Sequence, residues 1–239
     1  MALRHPVAAE LLAAGVIDES GAVDSTVLEW LTVLSRRDVG LLVFFRMPDD
    51  DEPPRVLLAR FAQWWVAMER SADIVRISGA GIASNEGSAN SALNAQIERL
   101  CGTNMPAALR PVTLDAEAMR RAATSLEDVR RFFESQGLEP DQLHMLELAA
   151  DPARSAQASI VAIQAGVDTG RPTRTFIEQG GVTIIDTPEG RLVVEQVRTV
   201  GKQWTIVAPG TKGHIASAIN QMVRRLPADR EWYSHRKVV

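Results

Sequence analysis

The sequence predicts an α+β fold made of two pseudo-symmetric halves, each with helices, antiparallel strands and a closing helix. Apolar residues recur at helical spacing in some segments and form short continuous runs in others. The short runs follow one another too closely for crossover helices, so neighbouring strands are joined by turns and run antiparallel. The order of helices, strands and helix occurs twice along the 239 residues. A central, mostly antiparallel sheet flanked by a helical bundle is therefore expected.

The first half contains two opening helices, three strands and a closing helix. Pro6 suits the first turn of the first helix, and Asp24 is a favourable N-cap for the second. The predicted elements are helices Arg4–Ala14 and Ser25–Ser35, strands Val39–Met47, Phe61–Glu69 and Ile74–Ser78, and helix Ser88–Leu100.

The second half repeats this order. Its predicted elements are helices Asp115–Ala123, Leu126–Gln136 and Asp141–Ala150, strands Ser159–Val167, Gly181–Thr187, Arg191–Arg198 and Gln203–Ala208, and helix Gly213–Leu226. The turn before the third of these strands requires Gly190 at positive φ. Arg191 is then expected to pair with a carboxylate or with carbonyl groups and not to sit in a catalytic pocket.

The two closing helices also match residue by residue. SALNAQIERL (Ser91 to Leu100) and SAINQMVRRL (Ser217 to Leu226) share Ser, Ala, Asn, Arg and Leu in register. Because each segment follows a strand and a glycine-bearing loop, the match favours an internal duplication. The chain is predicted to be one domain, residues 1–239, with halves at about 3–101 and 114–232.

Composition excludes several classes of function. The net charge of −4 and the pI near 5.6 argue against nucleic-acid binding, which needs a basic surface. A single cysteine, Cys101, cannot form an intramolecular disulfide and indicates a reducing compartment. The first residues lack the long apolar run of a signal peptide or membrane span. A cytoplasmic protein without membrane insertion is expected.

Motifs for catalysis are weak. The loop Gly79–Gly87 follows a strand and opens a helix as a dinucleotide-binding loop would, but Ser84 replaces the third glycine. The four histidines are scattered without metal-ligand spacing, and Cys101 lacks a recognisable catalytic partner. We therefore predict no catalytic residues, no metal and no cofactor, and keep a small-ligand or nucleotide-binding domain using that loop as the alternative.

Three apolar residues lie off the main helical stripes of the second half. Phe132, Met145 and Leu148 widen the apolar surface of their helices beyond one stripe. Such a surface is either sandwiched within the domain or exposed for a partner, and methionine suits the second role because it adapts its shape. Both interpretations remain open from the residues alone.

A set of short motifs resembles the EspG family. The pattern is an acidic residue, a turn with Gly-Arg, an apolar strand, Pro-Gly opening a helix, Leu-Pro ending it and a following Trp. Here it consists of Asp186, Gly190, Arg191, Pro209, Gly210, Leu226, Pro227 and Trp232. Segments 4–18, 29–43 and 60–70 of the front half also resemble the family. Within the family the chain most resembles the paralogue encoded by the second ESX locus.

The resemblance implies a function without catalysis. Family members are cytosolic chaperones of mycobacterial type VII (ESX) secretion that bind the apolar tip of a PPE protein in a PE–PPE heterodimer and keep it soluble. A monomer or weak homodimer is expected, and a structural component of the ESX apparatus is a further alternative. Family members also carry a strand upstream of the position of Leu3, which this sequence is expected to lack.

The expected partner site combines strands with the helices between Leu126 and Leu148. Antiparallel strands alternate their side chains, so one sheet face packs on helices while the other can contact a partner. We expect Glu195 and Arg198 as charged rim contacts, and Phe132, Met145 and Leu148 as apolar contacts.

Overall fold

A computed structural model describes residues 6–166 and 175–236. Within those residues the helices are α1 (Ala8–Ala13), α2 (Ser25–Arg36), α3 (Glu86–Cys101), α4 (Ala116–Ala122), α5 (Leu126–Glu134), α6 (Pro140–Ala150) and α7 (Lys212–Arg224), with a 3₁₀ turn at Asp229–Glu231. Asp24, as predicted, caps α2 by accepting from the amides of Thr26 and Val27. Arg4 and Val167, the ends of two predicted elements, lie outside the described residues.

The strands form one sheet. They are β1 (Val39–Arg46), β2 (Arg55–Phe61), β3 (Trp64–Ser71), β4 (Ile74–Ile82), β5 (Val112–Asp115), β6 (Ala156–Ala165), β7 (Thr175–Ile177), β8 (Val182–Thr187), β9 (Gly190–Thr199) and β10 (Lys202–Pro209). Their order is β4-β3-β2-β1-β6-β8-β9-β10-β5, with β7 paired to β6, and these strand pairs are antiparallel. The predicted α+β class with a large antiparallel sheet is confirmed.

The structure adds a strand that the sequence pattern concealed. Strand β2 ends at Phe61 and pairs with β3 through a tight turn in which Ala62 has a φ of 60°. No Gly, Pro, Asn or Asp stands between Arg60 and Trp65 to signal that turn. We therefore predicted one strand from Phe61 to Glu69 where the chain forms a hairpin. The short strands β5 and β7 were also not predicted.

One face of the sheet packs on α3 and α7. Val39, Leu41 and Val43 of β1 lie in one core cluster with Leu93 of α3 and Ile219 of α7. The intervening residues of β1 have the opposite orientation, as the pleat requires. This cluster extends across most of the sheet, from β4 to β9.

The other face is covered by two separate groups of helices. Helix α2 contributes Val33 to a cluster with Leu57, Val66 and Ile163. Helices α5 and α6 pack with residues of β5, β8, β9 and β10 in a further cluster that contains Phe133. The middle of this face lies between the two groups.

The positions of corresponding elements agree with the predicted duplication. Outward from the β1–β6 pair, the strand order is β2, β3, β4 on one side and β8, β9, β10 on the other. The N-caps Asn85 of α3 and Thr211 of α7 accept from the amides three residues later. Leu93 and Ile219, each 1% exposed, follow these caps at the same spacing. Superposition of the two halves remains a prediction.

Paired substitutions test the equivalence of the two helices. Leu93→Ala and Ile219→Ala should each lower the free energy of unfolding by about 3 kcal/mol, because both remove a fully buried side chain from one core. Urea unfolding measures this, with the exposed Leu28 changed to Ala as a control. If one substitution lowers the free energy of unfolding by the full amount and the other leaves it nearly unchanged, the two helices do not have equivalent environments.

Candidate functional site

Arg191 is the most heavily bonded side chain among the family motif residues. Its Nε and Nη2 donate to the two carboxylate oxygens of Asp186, both at 2.7 Å. Nη1 donates to the carbonyl of Gly102 at 2.7 Å, and Nη2 also donates to the carbonyl of Cys101 at 2.6 Å. The hydrogen bonds to Asp186 raise the pKa of Arg191 above its ordinary value. The predicted pairing with a carboxylate and carbonyls is therefore confirmed.

Two glycines allow the chain to approach Arg191. Gly190 has a φ of 126°, as predicted, and an added Cβ there would lie 2.8 Å from backbone atoms of Ala107. An added Cβ at Gly210 would lie 2.3 Å from the Cγ of Arg191. The backbone of Arg191 bonds to Met105, Ala107 and Gly210. Arg191 thus joins the link after α3, the β8–β9 hairpin and the start of α7.

The remaining motif residues complete the packing around α7. Pro209 ends β10 opposite Leu192. Leu226 and Trp232 are buried after the end of α7, while Pro227 between them is exposed. The ring of Trp232 packs edge-on against Trp65 with centroids 6.3 Å apart. These positions explain the motif as structural.

A cavity of about 260 Å³ lies beside Arg191, between the end of α3 and the start of α7. Cys101 lines it, and burial raises the pKa of this thiol to about 11. A thiol of that pKa is protonated at neutral pH and is a poor nucleophile. Because the guanidinium of Arg191 is already bonded to Asp186 and two carbonyls, this cavity offers packing and not acid–base chemistry.

An open groove of about 590 Å³ lies on the opposite sheet face, between α4, α5, α6 and the strands. Leu126 and Val129 of α5 form part of one wall, and Ile185, Val194 and Val207 come from the strands. Most of the lining is apolar. Besides these five residues it consists of Arg46, Ala116, Met119, Arg120, Ala123, Thr124, Ser125, Phe133, Leu146, Ala149, Ala150, Pro152, Gln157, Thr183, Gln196 and Thr205. No motif in the sequence predicts this groove, since no local pattern tells which part of a sheet face the helices leave open.

The apolar residues expected at a partner site lie mostly inside the chain. Met145 is 4% and Leu148 1% exposed, so the expectation that they offer an exposed apolar surface is wrong for this structure. Both lie on the side of α6 that packs inward, because the helix is covered by α5 and β8. Phe132 is half-buried beside Phe133 and does not line the groove.

The two charged residues expected at the rim lie on opposite sheet faces. Arg198 shares the orientation of Val194 and Gln196, which line the groove, and donates to Gln179 at 3.0 Å. Glu195 shares the orientation of Val193, which packs in the core with α3 and α7. Glu195 and Arg198 therefore do not lie together at one rim, because residues three apart on a regular strand point in opposite directions, and the role of each as a partner contact stays a prediction.

The glycines of the alternative ligand loop have structural roles. Gly79 and Gly81 lie within β4, next to an irregularity in its pairing with β3, and Gly79 packs against the ring of Trp30. The amide of Ser88 bonds to the side chain of Asn85 at the start of α3. Strand β4 is at the edge of an antiparallel sheet, which differs from the parallel arrangement of a dinucleotide-binding unit.

No group of three or more His, Cys, Asp or Glu side chains in residues 6–166 and 175–236 is arranged to hold a metal ion. Over the same residues, no helix has both the length and the apolar composition to cross a bilayer.

Replacement of Arg191 by lysine tests its structural role. Arg191→Lys keeps the charge but loses the planar set of donors, so the free energy of unfolding should fall by roughly 2–3 kcal/mol. Arg198→Lys, at an exposed position with one bond, should change it by less than about 0.5 kcal/mol. Equal denaturant midpoints for the two variants would contradict this role.

The thiol of Cys101 should react slowly in the folded protein. With a pKa near 11, less than about 1% of it is thiolate at pH 8. Alkylation by iodoacetamide at pH 8 should therefore be much slower in buffer than in 6 M urea, as followed by mass spectrometry. Equal rates in both would indicate an exposed, reactive cysteine.

Comparisons with known proteins give the family of the chain. A sequence model of the EspG family matches residues 1–221. The ESX-2 secretion-associated protein EspG2 of Mycobacterium tuberculosis is 47% identical over 238 residues, covering 100% of this chain and 86% of EspG2. EspG3 of Mycolicibacterium smegmatis, an ESX-3 secretion-associated protein, is 29% identical over 230 residues, covering 94% of this chain and 74% of EspG3.

A solved structure has the same fold. It is the M. tuberculosis type VII secretion system chaperone EspG5, in complex with a PE25–PPE41 dimer, and it matches with a TM-score of 0.75 at 21% sequence identity. The match covers 97% of this chain and 88% of EspG5. From the family match and the similarity to EspG2, this chain belongs to the EspG family.

Proposed function

We propose that this chain is a cytosolic chaperone of a type VII secretion system, which binds the apolar tip of a PPE protein within a PE–PPE heterodimer. In this role it keeps the heterodimer soluble and directs it to secretion. The observation that carries the proposal is the open, mainly apolar groove between α4, α5, α6 and the sheet.

The exposed apolar surface extends beyond the groove. Phe44 of β1 is exposed and has the same orientation as Arg46, which lines the groove. Leu28 and Leu31 are exposed on α2, which packs on the same face of the sheet. Apolar surface added to the face that carries the groove supports a protein-binding site there.

Two further observations support a binding role. Cys101 and the glycines of the Gly79–Gly87 loop, the residues nearest to a catalytic or ligand-binding motif, are engaged in packing and backbone contacts, and Arg191 pairs with Asp186 as expected of a structural residue. EspG5, which shares the fold, was solved in complex with a PE25–PPE41 dimer.

Co-expression tests the proposal directly. The chain is co-expressed with a panel of PE–PPE pairs that covers those of the chain's own host and includes PE25–PPE41, and complexes are identified by size-exclusion chromatography with light scattering. At least one host pair should elute with the chain as a complex containing one copy of each protein. Failure of every host pair to co-elute would overturn the proposal.

A single charge in the groove wall should weaken binding without unfolding the chain. Leu126 is 52% exposed, so Leu126→Asp should leave the melting temperature nearly unchanged. Binding should weaken at least about tenfold, because an apolar contact is replaced by a group that must lose its hydration. Titration calorimetry with the captured PE–PPE pair measures the affinity.

Two matched variants complete this test. Ile74→Asp introduces the same charge at a residue that is 70% exposed on the edge strand β4, and it should leave binding unchanged. Met145→Asp places the charge in the core and should unfold the chain. Equal binding by the Leu126 and Ile74 variants would exclude the groove as the site.

A further inference from the structure

The charges that line the groove have one sign. Among the residues that the structure describes, the charged ones that line it are Arg46 and Arg120, with neither Asp nor Glu. The chain as a whole carries a net charge of −4, so the groove differs from the average surface of the molecule. Charge placed in a mainly apolar groove has a large effect on a ligand, because less water is present to screen it.

Arg46 forms its hydrogen bonds with neutral acceptors. It lies opposite Gln157 in the β1–β6 pair, and its Nε and Nη2 donate to Gln157 Oε1 at 3.4 and 3.1 Å. Nη2 also donates to the hydroxyl of Ser155 at 3.1 Å. Nη1 is buried and has no hydrogen-bond partner among the residues that the structure describes. No carboxylate in that part of the chain lies within ion-pair distance of Arg46.

Arg46 lacks the carboxylate partner that Arg191 has among the described residues. Arg191 is bonded to both carboxylate oxygens of Asp186. Burial lowers the pKa of Arg46, and the charge of Asp151 offsets this effect only partly. A partly buried guanidinium with a donor left over gains from an added carboxylate, since charge-assisted paired hydrogen bonds are stronger than bonds to neutral groups.

We propose that the groove selects a partner loop that carries a carboxylate among apolar side chains, and that Arg46 is the residue that binds this carboxylate. This inference rests on the proposed chaperone function and adds the chemistry of the recognised tip. A turn of the guanidinium exchanges its long bonds to Gln157 and Ser155 for a paired bond to the incoming carboxylate. Arg120, which donates to Gln203 at 3.3 Å, adds positive charge on the α4 side.

Small amphiphiles test the chemistry of the groove without a protein partner. Octanoate, octanol and octylamine have the same apolar chain and differ in the head group. Titrated into the isotope-labelled chain at pH 7.5, octanoate should shift the amide signals of Leu126 and Val194 in a saturable way. Octylamine should bind at least about tenfold more weakly. Equal shifts by octanoate and octylamine would overturn the charge preference.

Variants then assign the preference to Arg46. Arg46→Gln should lower octanoate affinity at least about fivefold, whereas Arg46→Lys should retain more of it because the charge is kept. Arg76→Gln removes the same charge from an exposed position of β4 and is the control. If Arg46→Gln does not fold, Arg46→Lys with its expected intermediate affinity carries the test. Unchanged octanoate binding in the variant that folds would exclude Arg46.

The PE–PPE complex provides an independent readout. With a captured pair, Arg46→Gln should weaken binding about tenfold or more, and so should replacement of one acidic residue at the PPE tip by its amide. The two changes combined should cost little more than either alone, because they remove the same contact. Wild-type binding that is insensitive to both changes overturns this inference while leaving the chaperone function intact. Absence of any PE–PPE complex while octanoate still binds through Arg46 would instead contradict the chaperone function alone.

Discussion

The ion pair between Arg191 and Asp186 is the interaction on which the arrangement of the other elements depends. A buried guanidinium is costly unless its donors are satisfied, and here a carboxylate and two carbonyls from the end of α3 surround it. The carbonyls come from the first half of the chain and the carboxylate from the second. Arg191 therefore holds the end of α3 and the link after it against the β8–β9 hairpin. Gly190 and Gly210 are required because any side chain there would collide with this assembly.

The open groove follows from the width of the sheet. Nine strands side by side span about 40 Å, whereas one helix with its side chains covers about 10 Å. Helices α3 and α7 cover the middle of one face, and α2 and the α4–α6 group lie on the other. Helices α4 and α5 have only seven and nine residues, so they cover a limited area of that face. A mainly apolar strip of strands beside them is left uncovered.

Charge distinguishes the groove from the rest of the molecule. Several arginines near the surface lie beside a carboxylate, as Arg99 does with Glu69 and Arg224 with Glu86. Within residues 6–166 and 175–236, Arg46 has only neutral acceptors, although it is partly buried. A partner that supplies a carboxylate would remove this imbalance, so apolar contact and charge would act together in recognition. In such recognition the apolar part would supply most of the affinity, and the charge would discriminate among partners with similar apolar tips.

The sequence by itself determined the class of fold, the positions of most helices and the role of the Gly190–Arg191 turn. These features depend on local rules: helical spacing, N-caps such as Asp24, and the need for glycine at positive φ. The sequence also implied that Glu195 and Arg198 point to opposite faces of the sheet, because side chains alternate along a strand. The β2–β3 hairpin was hidden, because Ala62 adopts a positive φ without any of the usual turn residues. Burial of Met145 and Leu148, the groove and the unsatisfied Nη1 of Arg46 were decided by tertiary structure, since each depends on which distant helices and strands pack together.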